Sequence, residues 1–283
     1  TAANFGHEAV AITDHGVVQS FPDARKAALK AAGDGKPIKI IYGMEGYLVD
    51  DGPTVAYNCA GVDLSNGFIA LDVETTGLDC HSERLIEIAA VHFAPIEAGT
   101  LAPAENRAGR FRIAASWQSF VDPGVQLNAK TTELTGITSE MLAGAPDNLT
   151  ALQQLQDFLG DLPVVAHNAL FDLNFLRAEG FRTRHENDPR LHFNPPLIDT
   201  LPLARYLHPD LRNHKLSTVA AACCVEPGCH HRALDDAMTC GKIFASLLDL
   251  VIARQTAHNA GEAATGSTGE PTAVALPTLD DLN

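Results

Sequence analysis

The sequence predicts an α/β fold, in which a mixed sheet carries helices on both faces and is preceded by a separate parallel strand–helix–strand unit. Three observations support this fold class. The chain opens with strand, helix and strand patterns; three later strands follow one another without a helix; helices then alternate with single strands. Antiparallel strands that lead into alternating helices and strands give a mixed sheet whose faces are covered by helices.

The N-terminal stretch contains two short apolar strands on either side of a helix. Residues 9–13 form the first strand pattern, residues 21–32 have helical composition and spacing, and residues 38–42 are rich in β-branched side chains. Two strands joined by a crossover helix of this length pair in parallel.

A turn-rich junction at residues 61–67 separates this unit from the main sheet. Strands are predicted at residues 68–73, 85–93 and 117–121, with a long polar loop at residues 94–116. Because no helix separates these strands, they pair antiparallel.

Single strands then alternate with helices in the remaining sequence. The predicted strands are residues 164–167 and 197–198, and the predicted helices are residues 149–159, 170–178, 216–222 and 233–252. The last residues, from 256 to 282, are rich in Ala, Gly, Thr and Pro and read as a linker.

The composition restricts the class of protein. The chain has 283 residues, six cysteines and a formal net charge of -15. It contains no apolar run of eighteen residues and no basic, apolar leader, so we expect a soluble, cytoplasmic protein with reduced thiols and no membrane contact. A broad basic face for nucleic acid is excluded, so any such contact is local, metal-assisted or delivered by a partner. The chain lacks an initiator Met and opens in mid-element, which suggests a segment of a longer protein.

The first chemical motif is Leu-Asp-Val-Glu-Thr-Thr-Gly, which contains Asp72 and Glu74. Side chains two apart on a strand share a face, so both acids point the same way and form a seat for a divalent metal. A solvated sheet edge with alternating charge is the alternative. The Thr-Thr-Gly turn that follows favours a strand end that opens onto a site.

The second motif, His-Asn-Ala-Leu-Phe-Asp, places Asp172 in the first turns of a helix. Phe175 and Leu176 lie three and four residues later on the apolar stripe, so Asp172 should face the sheet. The alternative is an exposed aspartate that interacts with the helix dipole. Asp199, just before Thr200, is either a helix N-cap or a support for the site, and the cap is favoured.

The third motif, His-Arg-Ala-Leu-Asp-Asp, contains His231 and Asp236. Asp236 lies on the apolar stripe of the last helix, whereas Asp235 does not. His231 is five residues earlier, about 140° around a helix, so the two share no helical face. We therefore expect His231 in the loop that enters the helix.

Together and in this order, the three motifs resemble those of the DEDDh exonucleases, a proofreading family with a ribonuclease-H-like fold, over about residues 67–253. Leu-Thr-Gly-Ile-Thr at residues 134–138 and Leu-Ile-Asp-Thr at residues 197–200 are also similar to intermediate segments of that family.

The N-terminal piece is similar to another family. His-Glu-Ala-Val-Ala-Ile-Thr-Asp-His-Gly from His7, and Ile-Tyr-Gly-Met-Glu-Gly-Tyr-Leu-Val-Asp-Asp from Ile41, resemble the PHP domain, a (β/α) barrel, of PolC-type bacterial DNA polymerase III alpha chains. In that family the exonuclease is inserted into the PHP domain. The resemblance implies part of a PHP domain at residues 1–60, the exonuclease at 67–253 and a return linker at 254–283.

For the exonuclease, the resemblance implies hydrolysis at a DNA 3′ end with release of nucleoside monophosphates. Four acids, Asp72, Glu74, Asp172 and Asp236, would hold two Mg²⁺ or Mn²⁺ ions roughly 3.5 to 4 Å apart around the scissile phosphate. His231 would accept the proton of the attacking water.

The resemblance also implies a seat for the terminal nucleotide of a single-stranded or frayed DNA 3′ end. The residues expected there are Thr75, Thr76, Gly77, Leu78, His167, Asn168 and Phe171. The expected protein partners are the polymerase body of the same chain and replisome subunits such as the sliding clamp. An exoribonuclease and a vestigial structural insert that positions polymerase partners remain the alternatives.

In the PHP piece, Asp14, His15 and Glu45 follow strand ends, where α/β barrels collect their catalytic groups. By resemblance these residues form an incomplete Zn²⁺ or Mn²⁺ site, because the other ligands would come from segments outside this sequence.

Overall fold

The computed structural model describes residues 1–15, 17–46, 54–97, 107–183, 188–226, 228 and 232–263. The chain divides into two compact units, Thr1–Gly52 and Pro53–Asn283. The domain boundaries expected from the sequence remain a prediction, because this division rests on contacts alone.

The first unit is the predicted parallel pair of strands with its crossover helix. Strands β1 (Ala9–His15) and β2 (Lys39–Glu45) flank helix α1 (Phe21–Gly33), and a short 3₁₀ turn, Ala2–Phe5, precedes them. The strands pair in parallel from Ala9 opposite Lys39 to His15 opposite Glu45. Both strands extend beyond the predicted ends, because polar residues continue the ladder after the apolar pattern stops.

The described strands of the second unit are β3 (Ala56–Tyr57), β4 (Phe68–Thr75), β5 (Leu85–Pro95), β6 (Arg107–Ala108), β7 (Phe111–Phe120), β8 (Val164–Ala166) and β9 (Leu197–Asp199). They form one mixed sheet in the order β3-β9-β8-β4-β5-β7-β6. Antiparallel pairs join β4 to β5, β5 to β7, β7 to β6 and β3 to β9, whereas β4, β8 and β9 are parallel.

Helices cover both faces of this sheet. They are α2 (Ala129–Thr135), α3 (Ser139–Leu142), α4 (Asn148–Leu159), α5 (Ala169–Arg182), α6 (Thr200–Leu207), α7 (Leu216–Ala222) and α8 (Ala233–Ala263), with a 3₁₀ turn at Pro189–His192. Phe68 and Ala70 of β4 pack with α6, α7 and α8, whereas Ile69, Leu71 and Val73 pack with α4 and α5. This alternation confirms the predicted mixed α/β fold.

Aromatic packing brings α8 close to the sheet. Phe68 stacks on Phe93 at 5.0 Å between ring centroids and meets Phe111 and Phe244 edge-on at 5.0 and 4.9 Å. Gly241 lies directly over Phe93, where a Cβ would come within 2.1 Å of the ring. A residue without a side chain is therefore required at this point of the helix.

Three predictions about elements differ from the structure. Strand β7 begins at Phe111, six residues before the predicted start, because the small, exposed side chains of Ala114, Ala115 and Ser116 interrupt the alternation that begins with buried Phe111. Helices α2 and α3 and the two-residue strands β3 and β6 were not predicted, and α6 was implied only by the expected cap at Asp199. The last helix continues to Ala263, into the predicted linker, because its Ala-rich composition also suits a helix.

Among the helices that the structure describes, none combines the length and the apolar character needed to cross a membrane.

Candidate active site

Three carboxylates meet where the central strand ends against the last helix. Asp72 and Glu74 continue the β4 face that begins with Phe68 and Ala70, so they point towards α8. Asp236 lies in the first turn of α8. One oxygen from each of the three acids lies within 4.8 Å of the other two. The structure thus brings Asp236 to two acids that precede it by more than 160 residues in sequence.

Asp172 reaches the same site from α5. Strand β8 ends at Ala166, so the parallel ladder to β4 stops after the pair Ala70–Val165. Beyond that point the Val73 amide donates a hydrogen bond of 3.1 Å to Asp172 Oδ1. Only 3% of Asp172 is exposed, which places the side chain inward.

Three of these acids, Asp72, Glu74 and Asp172, have a raised pKa. Burial raises the pKa of Asp72 well above its usual value, and the negative charges of Asp172, Glu74 and Asp236 add to the effect. Burial and the neighbouring Asp236 raise the pKa of Glu74 to about 8. The pKa of Asp172 is also raised, mainly by burial. A bound divalent cation would favour the ionised carboxylates and lower their pKa again. A set of carboxylate oxygens suits Mg²⁺ or Mn²⁺.

The predicted general base, His231, lies outside the described residues. Its neighbour Arg232 is described, and the Arg232 carbonyl accepts the first bond of α8, from the Asp236 amide at 3.0 Å. The catalytic role of His231 remains a prediction.

The turn after β4 is held by hydrogen bonds from Thr75 and from Thr131 of α2. Thr75 Oγ1 donates to the Gly77 carbonyl at 2.6 Å, and Thr131 of α2 donates from Oγ1 to the Thr76 carbonyl at 3.0 Å. Leu78 at the tip is 87% exposed. The structure therefore presents an exposed apolar side chain from the turn that directly follows β4.

His167, which follows β8, is held inside the protein by both ring nitrogens. Nε2 lies 2.8 Å from the His214 carbonyl, which can only accept, so Nε2 carries the proton. Nδ1 lies 2.9 Å from Thr200 Oγ1. Burial lowers the pKa of His167, which favours the neutral ring. Any contact of His167 with a nucleotide would therefore involve ring carbons.

Asn168 and Phe171 form the entrance to α5. Asn168 adopts a left-handed conformation with φ of 66°, and its backbone amide donates a hydrogen bond to Asp199 Oδ1 at 2.9 Å. The same Asp199 oxygen accepts the Leu201 amide at 2.9 Å. Asp199 therefore caps α6, as the sequence favours, and also fixes Asn168. Phe171 packs on Phe175 with ring centroids 5.0 Å apart.

Sequence reasoning missed Glu87, which lies directly opposite Glu74 in the antiparallel pair and is 0% exposed. Its negative charge contributes to the raised pKa of Asp72 and Glu74. The signal was present in Leu-Ile-Glu-Ile-Ala-Ala, where one acid interrupts an apolar strand. Such an acid requires a buried partner.

In the first unit, His15 Nδ1 contacts a carboxylate oxygen of Glu45 across the last register pair of β1 and β2. Asp14 instead accepts hydrogen bonds from Ser20, from its amide at 2.8 Å and its hydroxyl at 2.6 Å. These bonds lower the pKa of Asp14. The structure thus brings together two of the three residues expected to bind metal and gives Asp14 a different partner.

Comparison with known proteins agrees with this geometry. Residues 69–244 match the family model RNase_T, described as exonuclease. PolC-type DNA polymerase III of Clostridium perfringens is 41% identical over 243 residues, which cover 86% of this chain and 15% of that protein. The Halalkalibacterium halodurans protein of the same name is 40% identical over 268 residues, 92% of this chain and 17% of that protein. The chain therefore spans about a sixth of the length of these relatives.

Solved structures show the same fold. E. coli exonuclease I, crystallised in complex with a dT13 oligonucleotide, superimposes with a TM-score of 0.51 at 18% identity, and the match covers 68% of this chain and 42% of that one. The family match extends over most of the described sheet and includes Asp72, Glu74, Asp172 and Asp236. This chain belongs to the exonuclease family, and most of its length corresponds to a segment of PolC-type DNA polymerase III chains.

Proposed function

We propose that this chain is the 3′–5′ proofreading exonuclease module of a replicative DNA polymerase, which hydrolyses the terminal phosphodiester of a DNA 3′ end. The observation that supports the proposal most strongly is the convergence of Asp72, Glu74 and Asp236 within 4.8 Å, in a chain whose family is an exonuclease family. The similarity to PolC-type polymerases supports DNA as the substrate.

The four acids would hold two divalent ions, Mg²⁺ or Mn²⁺. The donor set fits such ions, because it consists of carboxylates that are costly to ionise until a cation is bound. When bound, the ions supply charge stabilisation at the scissile phosphate and at the attacking and leaving oxygens.

The remaining residues would handle the proton and the nucleotide. His231 would accept the proton of the attacking water, because a neutral imidazole is basic near pH 7. The turn formed by Thr75, Thr76, Gly77 and Leu78 would receive the terminal nucleotide, and Leu78 would provide apolar contact with any base. Sequence-independent contacts suit an enzyme that must accept every base.

His167, Asn168 and Phe171 would complete the nucleotide seat at the start of α5. The aromatic ring of Phe171 offers a stacking surface, and Asn168 is held in place by Asp199. Since the chain carries a net charge of -15, strand binding would depend on the metals and on the polymerase body, with the sliding clamp among the expected partners. The bacterial cytoplasm is the proposed location.

We extend the proposal to the N-terminal unit, residues 1–60, as part of a PHP domain, with the exonuclease at 67–253 and a linker back to that domain at 254–283. His15 and Glu45 would contribute to an incomplete Zn²⁺ or Mn²⁺ site with Asp14, if Asp14 exchanges its bonds to Ser20 for the metal.

The test compares DNA with RNA on the purified chain. Single strands of DNA and RNA with the same sequence and a 5′ label are incubated with Mg²⁺ or Mn²⁺, and the products are resolved to one nucleotide. We expect DNA to shorten stepwise from its 3′ end, and we expect EDTA or Asp72→Ala to stop the reaction.

Two outcomes would reject the proposal in different ways. Faster degradation of RNA than of DNA would make the chain an exoribonuclease. Turnover of the wild type no greater than that of Asp72→Ala would make it a structural insert that positions polymerase partners.

A further inference from the structure

Glu87 on β5 is a buried carboxylate next to the metal-binding acids, and three of its four hydrogen bonds come from the start of α8. Arg232 donates from Nη2 to Glu87 Oε1 at 3.0 Å and from Nε to Oε2 at 3.4 Å. The amide of Ala233 donates to Oε2 at 3.1 Å, and Gln118 Nε2 donates to Oε1. The carboxylate is thus satisfied by four donors.

The start of α8 receives a hydrogen-bond acceptor from a distant strand. The residue before its first helical position is Arg232, whose side chain has donors but no acceptor. The amides of a first turn still require acceptors, and the helix dipole favours negative charge there. Glu87, 146 residues away in sequence, accepts the Ala233 amide and supplies that charge. Glu87 therefore caps α8 from the sheet.

Arg232 makes this cap rigid. Its guanidinium binds Glu87 through two nitrogens and lies 5.7 Å from the centre of the Phe120 ring. Both oxygens of Glu87 are therefore already engaged by hydrogen-bond donors.

We propose that Glu87 is a positioning residue for the metal site: by capping α8 and binding Arg232, it holds Asp236 within reach of Asp72 and Glu74. Asp236 lies one turn into the helix, and its amide bonds to the Arg232 carbonyl at 3.0 Å. The helix start and the Asp236 side chain therefore move together. This inference rests on the metal-binding role proposed above.

The chain offers a matched control in Glu179. This glutamate is also 0% exposed and pairs with an arginine, Arg182, at 2.6 Å, but both residues lie on α5. Glu179 also hydrogen-bonds the Leu85 backbone at the start of β5, but unlike Glu87 it is not paired with the start of α8 or opposite a metal-binding acid in β4. Glu179→Gln therefore removes a buried ion pair without touching α8.

The experiment compares Glu87→Gln with Glu179→Gln in the full chain. Manganese affinity is measured by electron paramagnetic resonance, and exchange of the Ala233 amide is measured by NMR in metal-free protein. For Glu87→Gln we expect Mn²⁺ binding weaker by about 10- to 100-fold, the usual effect of losing a residue that orients a metal ligand. We also expect Ala233 exchange about tenfold faster, because a neutral acceptor binds an amide less strongly than a charged one.

For Glu179→Gln we expect loss of stability with Mn²⁺ affinity and Ala233 exchange unchanged. Equal stability loss in both variants, with wild-type Mn²⁺ affinity in Glu87→Gln, would overturn the inference. If Glu87→Gln does not fold, Arg232→Lys gives the same readouts, because it keeps the charge but loses the second bond; wild-type Mn²⁺ affinity in that variant would also overturn it.

The proposed function fails separately from this inference. If wild-type protein binds Mn²⁺ at this site but hydrolyses no nucleic acid, the exonuclease proposal fails and the comparison of Glu87→Gln with Glu179→Gln still decides whether Glu87 positions the site. If wild-type protein binds no Mn²⁺ here, both fail.

Discussion

Replacement of Glu74 by Gln should stabilise the metal-free exonuclease unit at alkaline pH, although it removes a proposed metal ligand. Glu74 is only 9% exposed, and burial together with the charge of Asp236 raises its pKa from 4.5 to about 8. The folded protein therefore keeps this proton at pH values where the unfolded chain has released it. Gln has no proton to lose.

The size of the effect follows from proton linkage. Below about pH 4.5 the Glu74 carboxyl is protonated in both states, so its ionisation does not affect the free energy of unfolding. Between pH 4.5 and 8 the folded state binds one more proton than the unfolded state, so wild-type stability falls by about 1.4 kcal/mol for each pH unit. The loss reaches about 5 kcal/mol at most near pH 8. The variant escapes this loss.

Trp117 provides the assay. It is the single tryptophan of the chain and lies in β7, so its fluorescence reports on the seven-stranded sheet. Urea unfolding in EDTA at about pH 5 should give similar stabilities for wild type and Glu74→Gln, and unfolding at about pH 9 should favour the variant by several kcal/mol. A ligand that binds only the folded state stabilises it. Added Mn²⁺ should therefore stabilise the wild type more than the variant, because Glu74→Gln removes one of the proposed metal ligands.

The control is Glu140→Gln. Glu140 is exposed, and a hydrogen bond with the Thr138 side chain lowers the pKa of its carboxyl group. It should leave the pH dependence of stability between about pH 5 and pH 9 unchanged. Parallel pH profiles for wild type and Glu74→Gln, or a less stable Glu74→Gln at about pH 9 in EDTA, would refute the reasoning.

Three other predictions follow from the site and its supports. Asp72→Ala or Asp236→Ala should abolish hydrolysis and leave the melting temperature in EDTA unchanged or higher, since repulsion among the acids is relieved; a large fall in melting temperature would contradict this. His231→Gln should lower the rate of DNA hydrolysis by about a hundredfold or more, and an unchanged rate would remove it as the base. Gly241→Ala should destabilise the protein by about 1 to 3 kcal/mol in urea unfolding, because its Cβ would lie 2.1 Å from Phe93; wild-type stability would show that α8 can shift freely.

The direction in which each acid points was accessible from the sequence because it follows from periodicity. Alternation along β4 assigns Asp72 and Glu74 to one face, and helical spacing assigns Asp236 to the packed side of α8. Each rule is local. The order of the motifs along the chain and their resemblance to one family then supplied the long-range arrangement, which local rules do not contain.

The supports of the site were less accessible, because they join residues that no local pattern connects. Glu87 and Arg232 are 145 residues apart, and the bond between them depends on the register of β5 against β4. Asp199 was predicted as a cap for its own helix, but its second bond, to the Asn168 amide, depends on the pairing of β8 with β9. Such partners become visible only when the sheet is assembled.

The central claim is that these carboxylates bind two metal ions for hydrolysis, and the most direct test is anomalous diffraction from crystals soaked in Mn²⁺. We predict two manganese peaks about 3.5 to 4 Å apart, coordinated by oxygens of Asp72, Glu74, Asp172 and Asp236. Absence of manganese from these oxygens, at a Mn²⁺ concentration that supports hydrolysis in solution, would contradict the account.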